Sequence, residues 1–186
     1  MTDEDLRKAI QLLHERTGED LRERFDRSLP FQDGMFDRWE RAERLGFAKD
    51  VSIYNSSLVY GDVRVGEGSW IGPYTLLDGS QGGLTIGHHC SISAGVQIYT
   101  HDTVLWSLSG GISDKRIGAV SIGDCTYVGS QVVIACGVTI GMQCVVAANS
   151  FVNRNVADRT IVGGTPAKPI GMVDVGADGS IALRYD

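Results

Sequence analysis

The residue best suited to acid–base chemistry is His101, in the run Ile98-Tyr-Thr-His-Asp102 that opens a long irregular segment. Imidazole takes up and returns a proton near neutral pH, which few side chains do without special surroundings. Two carboxylates can reach it. Asp102 is its neighbour in the chain, and Asp78 is brought close by the repeat set out below. Either can hold the ring in one tautomer or bind a substrate hydroxyl. Asp78 is assigned to the substrate pocket, and its place before Gly79 also suits plain turn chemistry. Trp106, in the irregular segment, joins Asp78 and Asp102 as a candidate substrate contact.

Metal chemistry is less well served. A zinc site of three imidazoles needs ligands that converge, whereas His88 and His89 share one turn and His101 lies two repeat units on. Those two fit a solvated corner, and His14 fits the surface of a helix. Cys90, Cys125, Cys136 and Cys144 form no C-x-x-C pair and are read as reduced, structural thiols. No metal is expected.

The element that must position these residues is a six-residue repeat. Aliphatic residues recur at Ile53, Val59, Val65, Ile71 and Leu77, at Ile86, Ile92 and Ile98, and at Ile122, Val128, Ile134, Ile140, Val146 and Val152. A smaller series follows four residues later, among them Ser57, Ser69, Thr75, Cys90, Thr126 and Cys144. Both series point to one side of a short strand, since alternate residues share a face. Gly often follows the aliphatic, as at Gly66, Gly72 and Gly123, where a turn needs positive φ or a corner without a side chain. Three units wrap one coil of a prism, so the matches predict about five coils, on the order of 24 Å of solenoid.

Two breaks interrupt the register. One inserts three residues within Asp78–Gly83, and the other throws out a loop from Asp102 to Ala119 that carries Trp106, Gly110-Gly111 and the basic pair Lys115-Arg116. Asp78 falls one coil below His101, because the Leu77 and Ile98 corners stack.

This pattern resembles the hexapeptide-repeat acyltransferases, and the Tyr-Thr-His-Asp run resembles their sugar and xenobiotic O-acetyltransferase branch. The resemblance implies a mainly β fold, a left-handed parallel β-helix with an N-terminal helical segment and a C-terminal hairpin. It also implies that His101 is the general base, taking a proton from an acceptor hydroxyl and returning one to the departing thiolate. Acetyl-CoA is the implied co-substrate. Ser130 and Ala148, at matching corners of successive coils, correspond to positions lining its pantetheine groove, and Arg154 and Lys168 to basic positions near its phosphates. A homotrimer with active sites between subunits is implied, as is a sugar or glycan acceptor. Three alternatives stay open: an amine acceptor on a nucleotide-linked amino sugar, a metal-dependent hydratase, and a non-catalytic solenoid subunit.

The remaining sequence frames the repeat. Residues 1–50 read as a helical cap, 51–157 as the β-helix with its loop at 102–119, and 158–186 as a C-terminal extension and hairpin. A first helix runs from residue 2 to about 27, capped by Thr2 or Asp3, with Leu6, Ile10, Leu13 and Leu21 as its stripe. A second spans Asp33 to Leu45 and stops at Gly46, with Phe36 and Trp39 expected to pack on the solenoid. The net charge of −6 gives no electrostatic footprint for nucleic acid. No apolar run approaches a membrane span, and a cytoplasmic protein is the simple expectation.

Overall fold

The computed structural model describes residues 1–186. Its centre is a three-faced parallel β-solenoid whose inward side chains stack in straight columns. On the first face Ile53 pairs with Ile71, Ile71 with Ile92, Ile92 with Val128, Val128 with Val146 and Val146 with Val162. The second face aligns Val59, Leu77, Ile98, Ile134 and Val152. The third aligns Val65, Ile86, Ile122, Ile140 and Val156. These are the repeat positions read from sequence, extended by Val156 and by one more first-face strand at Thr160–Gly163. Most of the columns are wholly out of contact with water. Each buried Ile or Val stabilises the fold by about 1.5–3 kcal/mol relative to an exposed one.

The smaller inward series does more than fit a narrow interior. At the corner before the first face, Ser69 Oγ donates to Gly87 O (2.8 Å), the Cys90 thiol to Gly123 O (3.2 Å), Thr126 Oγ1 to Gly141 O (2.9 Å) and the Cys144 thiol to Ala157 O (3.1 Å). Each side chain serves a corner carbonyl of the next coil, which the ladder does not pair. A buried carbonyl left unpaired would cost about 1–3 kcal/mol, so a small donor is required there.

The glycines after the aliphatics serve one of the two expected uses. A Cβ on Gly72 would lie 2.7 Å from Ala94 N, and one on Gly123 would lie 2.6 Å from Met142 N. Close approach of successive coils excludes a side chain; neither residue has positive φ.

The break at Asp78–Gly83 is not a loop. Leu76–Ile86 is one continuous strand beside Leu58–Val65, with a register shift between Gly61 and Val63. The second break is a true excursion. His101–Asp102 pairs antiparallel with Arg116–Ile117, and a short helix at Val104–Leu108 lies between them.

Helix α1, Asp3–Phe25, starts at a reciprocal cap in which Asp5 N–H donates to Thr2 Oγ1 and Thr2 N–H to Asp5 Oδ2. None of its residues is buried. The expected second helix is two: α2, Phe31–Met35, and α3, Arg38–Arg44. Phe36 is extended, and Asp37 caps α3 by accepting from Trp39 and Glu40 N–H, which forces the division. Phe36 and Trp39 are about half exposed, and Trp39 lines a recess with Phe47 and Val51 at the first coil. Ala42 and Phe47 are buried, and the Arg41 guanidinium donates to the carbonyls of Tyr54 and Ser57. At the other end, Thr160–Gly163 pairs antiparallel with Lys168–Val175, which pairs in turn with Ile181–Tyr185 from Gly171↔Tyr185 to Val175↔Ile181, forming the C-terminal hairpin.

Candidate active site

The site sits on the outer surface of the second face. The residues one position after the inward column there are Tyr60, Asp78, Tyr99 and Ala135, and those one position before include Leu76, Val133 and Phe151. They form the wall of a cavity of about 670 Å³, closed at one end by His101 to Val104, Arg116 and Cys136.

Asp78 and His101 meet in that cavity. The ladder sets Leu77 beside Ile98, which brings the Asp78 carboxylate under the imidazole, with Oδ2 3.0 Å from Nδ1. Asp78 is 4% exposed. Its other oxygen, Oδ1, accepts from Ser80 N–H (2.9 Å) and from the Ser80 hydroxyl. The carboxylate is therefore fixed, with one oxygen left for the ring. Nδ1 is buried and makes no hydrogen bond that meets angular criteria, so the Asp78 carboxylate acts on it as a charge at close range. A carboxylate at Nδ1 favours the proton on that nitrogen and leaves Nε2 as an acceptor, the form a general base needs.

Asp102 has a different role from Asp78. Its Oδ1 accepts from Val104 N–H (3.1 Å), and its Oδ2 lies 2.7 Å from the Arg116 guanidinium and 3.6 Å from Cys136 Sγ. The Val104 N–H, and then the nearby Arg116 charge, hold the Asp102 carboxyl below the usual carboxylate range. Of the two carboxylates, the one assigned from sequence to the substrate pocket is the one beside the ring.

The other candidates lie apart. Trp106 does not line the cavity; its ring packs 3.6 Å from where a Cβ on Gly111 would stand, against the turn of the loop. Ser130 and Ala148 occupy equivalent corners of successive coils, where Asn149 N–H donates to Ser130 O at 2.9 Å. Arg154 and Lys168 line one recess of about 310 Å³ at the far end of the solenoid. His88 and His89 are exposed on another corner, where His88 Nδ1 accepts from Glu67 N–H.

Of the four cysteines, Cys90 and Cys144 are buried, and desolvation raises both thiols above their ordinary pKa. Cys136, half-buried, faces the cavity. It was missed from sequence, as were Ser80, Tyr60, Tyr99 and Phe151. The lattice could have found most of them, because positions one before and one after an inward residue must face outward on the same side.

Comparison with known proteins agrees with this architecture. Residues 119–154 match the family described as bacterial transferase hexapeptide (six repeats). The chain is 36% identical over 92 residues to protein CapG of Staphylococcus aureus, covering 49% of this chain and 54% of CapG. It is 33% identical over 124 residues to the carnitine operon protein CaiE of Escherichia coli, covering 63% of each. The matches thus span between about half and just under two thirds of those curated relatives. A crystal structure of a hexapeptide-repeat-containing acetyltransferase from Vibrio cholerae superposes with a TM-score of 0.66 and 31% identity, over 88% of this chain and 92% of that one. The same protein has been crystallised in complex with acetyl-CoA. With the repeat, the stacked columns and a relative of this similarity over nearly its whole length, the chain belongs to the hexapeptide-repeat acyltransferase family.

Proposed function

We propose that this chain is an acetyl-CoA-dependent O-acetyltransferase acting on a sugar or glycan hydroxyl, by direct transfer with His101 as general base. The observation that carries the reading is the buried Asp78 carboxylate, tied by Ser80 through one oxygen and set 3.0 Å from His101 Nδ1 by the other, at the end of a cavity of about 670 Å³. His101 Nε2 takes the proton of the acceptor hydroxyl as its oxygen forms a bond to the acyl carbon. The carbon–sulfur bond breaks, and the imidazolium gives a proton to the leaving thiolate. The imidazole ends neutral, and no acyl-enzyme is formed.

Acetyl-CoA supplies the thioester. The groove past Ser130 and Ala148 is assigned to its pantetheine arm, where small side chains leave the backbone open to its amides. Arg154 and Lys168 are assigned to its phosphates, as cations converging on one recess. The related Vibrio cholerae acetyltransferase crystallised with acetyl-CoA supports this choice of donor. The apolar outward residues Leu76, Val133 and Phe151 support a site completed by a neighbouring copy in a cyclic trimer.

The test is thiol release from acetyl-CoA across a panel of sugar, glycan and amino-sugar acceptors, with mass spectrometry of the product. An acetyl ester lost on treatment with hydroxylamine is expected. A hydroxylamine-stable amide would transfer the reading to an amine acceptor, and no thiol release with any acceptor would remove it.

A further inference from the structure

His101 has two carboxylates for neighbours, and general-base catalysis has use for one. Asp78 approaches Nδ1 from the preceding coil. Asp102 follows His101 on the same short strand, and its Oδ2 is held at 2.7 Å by Arg116, which stands directly opposite it on the returning strand. The backbone fixes that apposition: Asp102 pairs with Arg116, His101 with Ile117, and Gly118 N–H donates to Thr100 O (2.9 Å). Arg116 is largely solvent-exposed, its side chain 61% accessible, so the pair adds little to stability.

We propose that Arg116 is a positioning residue for acyl transfer: by binding Asp102 it keeps that carboxylate off the imidazole, so that Asp78 alone sets the tautomer and Nε2 stays unprotonated. The proposal rests on the reading of His101 as general base. The charged and titratable groups facing the ring are few. Asp78 from the coil below touches it; Asp102 on its own strand, Arg116 from the returning strand and Cys136, 3.6 Å from Asp102 Oδ2, line the same cavity and contact one another. Without the guanidinium, Asp102 presents an unneutralised negative charge, which favours imidazolium over imidazole.

The experiment uses the full chain as wild type, Arg116→Gln, Asp102→Asn and the double variant. The His101 side chain is titrated by NMR, its signal assigned by its loss in His101→Ala, and kcat/KM is measured across pH on the same samples. Arg116→Gln is expected to raise the His101 midpoint and to move the acid limb of kcat/KM up with it. Activity then falls about threefold below the limb and by less on the plateau, where the imidazole is neutral in both proteins. Adding Asp102→Asn should return both midpoints toward wild type. An unmoved midpoint in Arg116→Gln, or a rate lowered equally at every pH, would overturn the proposal and make Arg116 a plain loop anchor. Turnover that does not depend on His101 would overturn the general-base reading instead, and the NMR midpoint would still decide whether Arg116 shields the ring.

Discussion

Replacing Asp78 with Asn separates orientation of the ring from stability of the fold. Asn keeps the size of Asp, and its single oxygen can still accept from the Ser80 N–H and hydroxyl that now bind Oδ1. The buried contacts survive, and the stability change should stay within about 1 kcal/mol. What changes is the group aimed at the ring. An NH2 replaces Oδ2 at 3.0 Å from Nδ1, so Nδ1 must accept and the ring proton moves to Nε2. The nitrogen that should take a proton from the acceptor then already carries one. General-base contributions of about 10²–10⁴ set the scale, and a loss of at least 10² in kcat corresponds to about 2.7 kcal/mol of barrier. KM for acetyl-CoA should not move. Loss of a nearby anion also disfavours imidazolium, so the acid limb of the pH profile should shift down. The assay is thiol release across pH, with thermal unfolding of the same preparation. A kcat within threefold of wild type at unchanged melting temperature would refute the assignment of Asp78 as the orienting group.

Other consequences follow from the same geometry. Arg154→Gln and Lys168→Gln should each raise KM for acetyl-CoA several-fold while leaving kcat near wild type, and the effect should vanish with a truncated pantetheine thioester as donor. Ile98→Ala, in a column position with no exposure between Leu77 and Ile134, should cost about 2–5 kcal/mol in denaturant unfolding. In native protein a thiol reagent should modify Cys125 and Cys136 but not Cys90 and Cys144, with all four reacting after denaturation. Because burial raises the Cys90 and Cys144 thiols, both remain neutral in the fold where the unfolded chain ionises. Their contribution is complete below the ordinary thiol pKa of 9.0 and is lost as pH climbs above it. The melting temperature should fall in that alkaline range, and less so in Cys144→Ala.

The solenoid was legible because it is written as a period. An inward column tolerates only Ile, Val or Leu at fixed spacing, and every aliphatic of the repeat took its expected place, Ile98 on Leu77 and Ile140 on Ile122. The same register placed Asp78 beneath His101. It could not say which of two carboxylates would reach the ring, since that depends on Ser80 fixing Asp78 and on Arg116 capturing Asp102 across the loop's base. Arg116 was visible as part of a basic pair, but its strand pairing is set by the loop's path, which has no period. Trp106 stands apart from the cavity for the same reason: the chain turns its ring against Gly111. The three residues inserted within Asp78–Gly83 upset the count, yet a register shift between Gly61 and Val63 absorbs them within the strand. Among the helices, one apolar and aromatic pattern concealed a division imposed by the Asp37 cap.

The measurement closest to the central claim is kcat and KM for His101→Ala beside wild type, with acetyl-CoA and a hydroxyl acceptor that the wild type turns over. The account expects kcat to fall at least about 10²-fold, KM for acetyl-CoA to stay within twofold, and the acid limb of the pH profile to disappear. A variant that retains more than a third of wild-type kcat with its acid limb in place would contradict it, because the proton would then leave the acceptor by a route that does not pass through this imidazole.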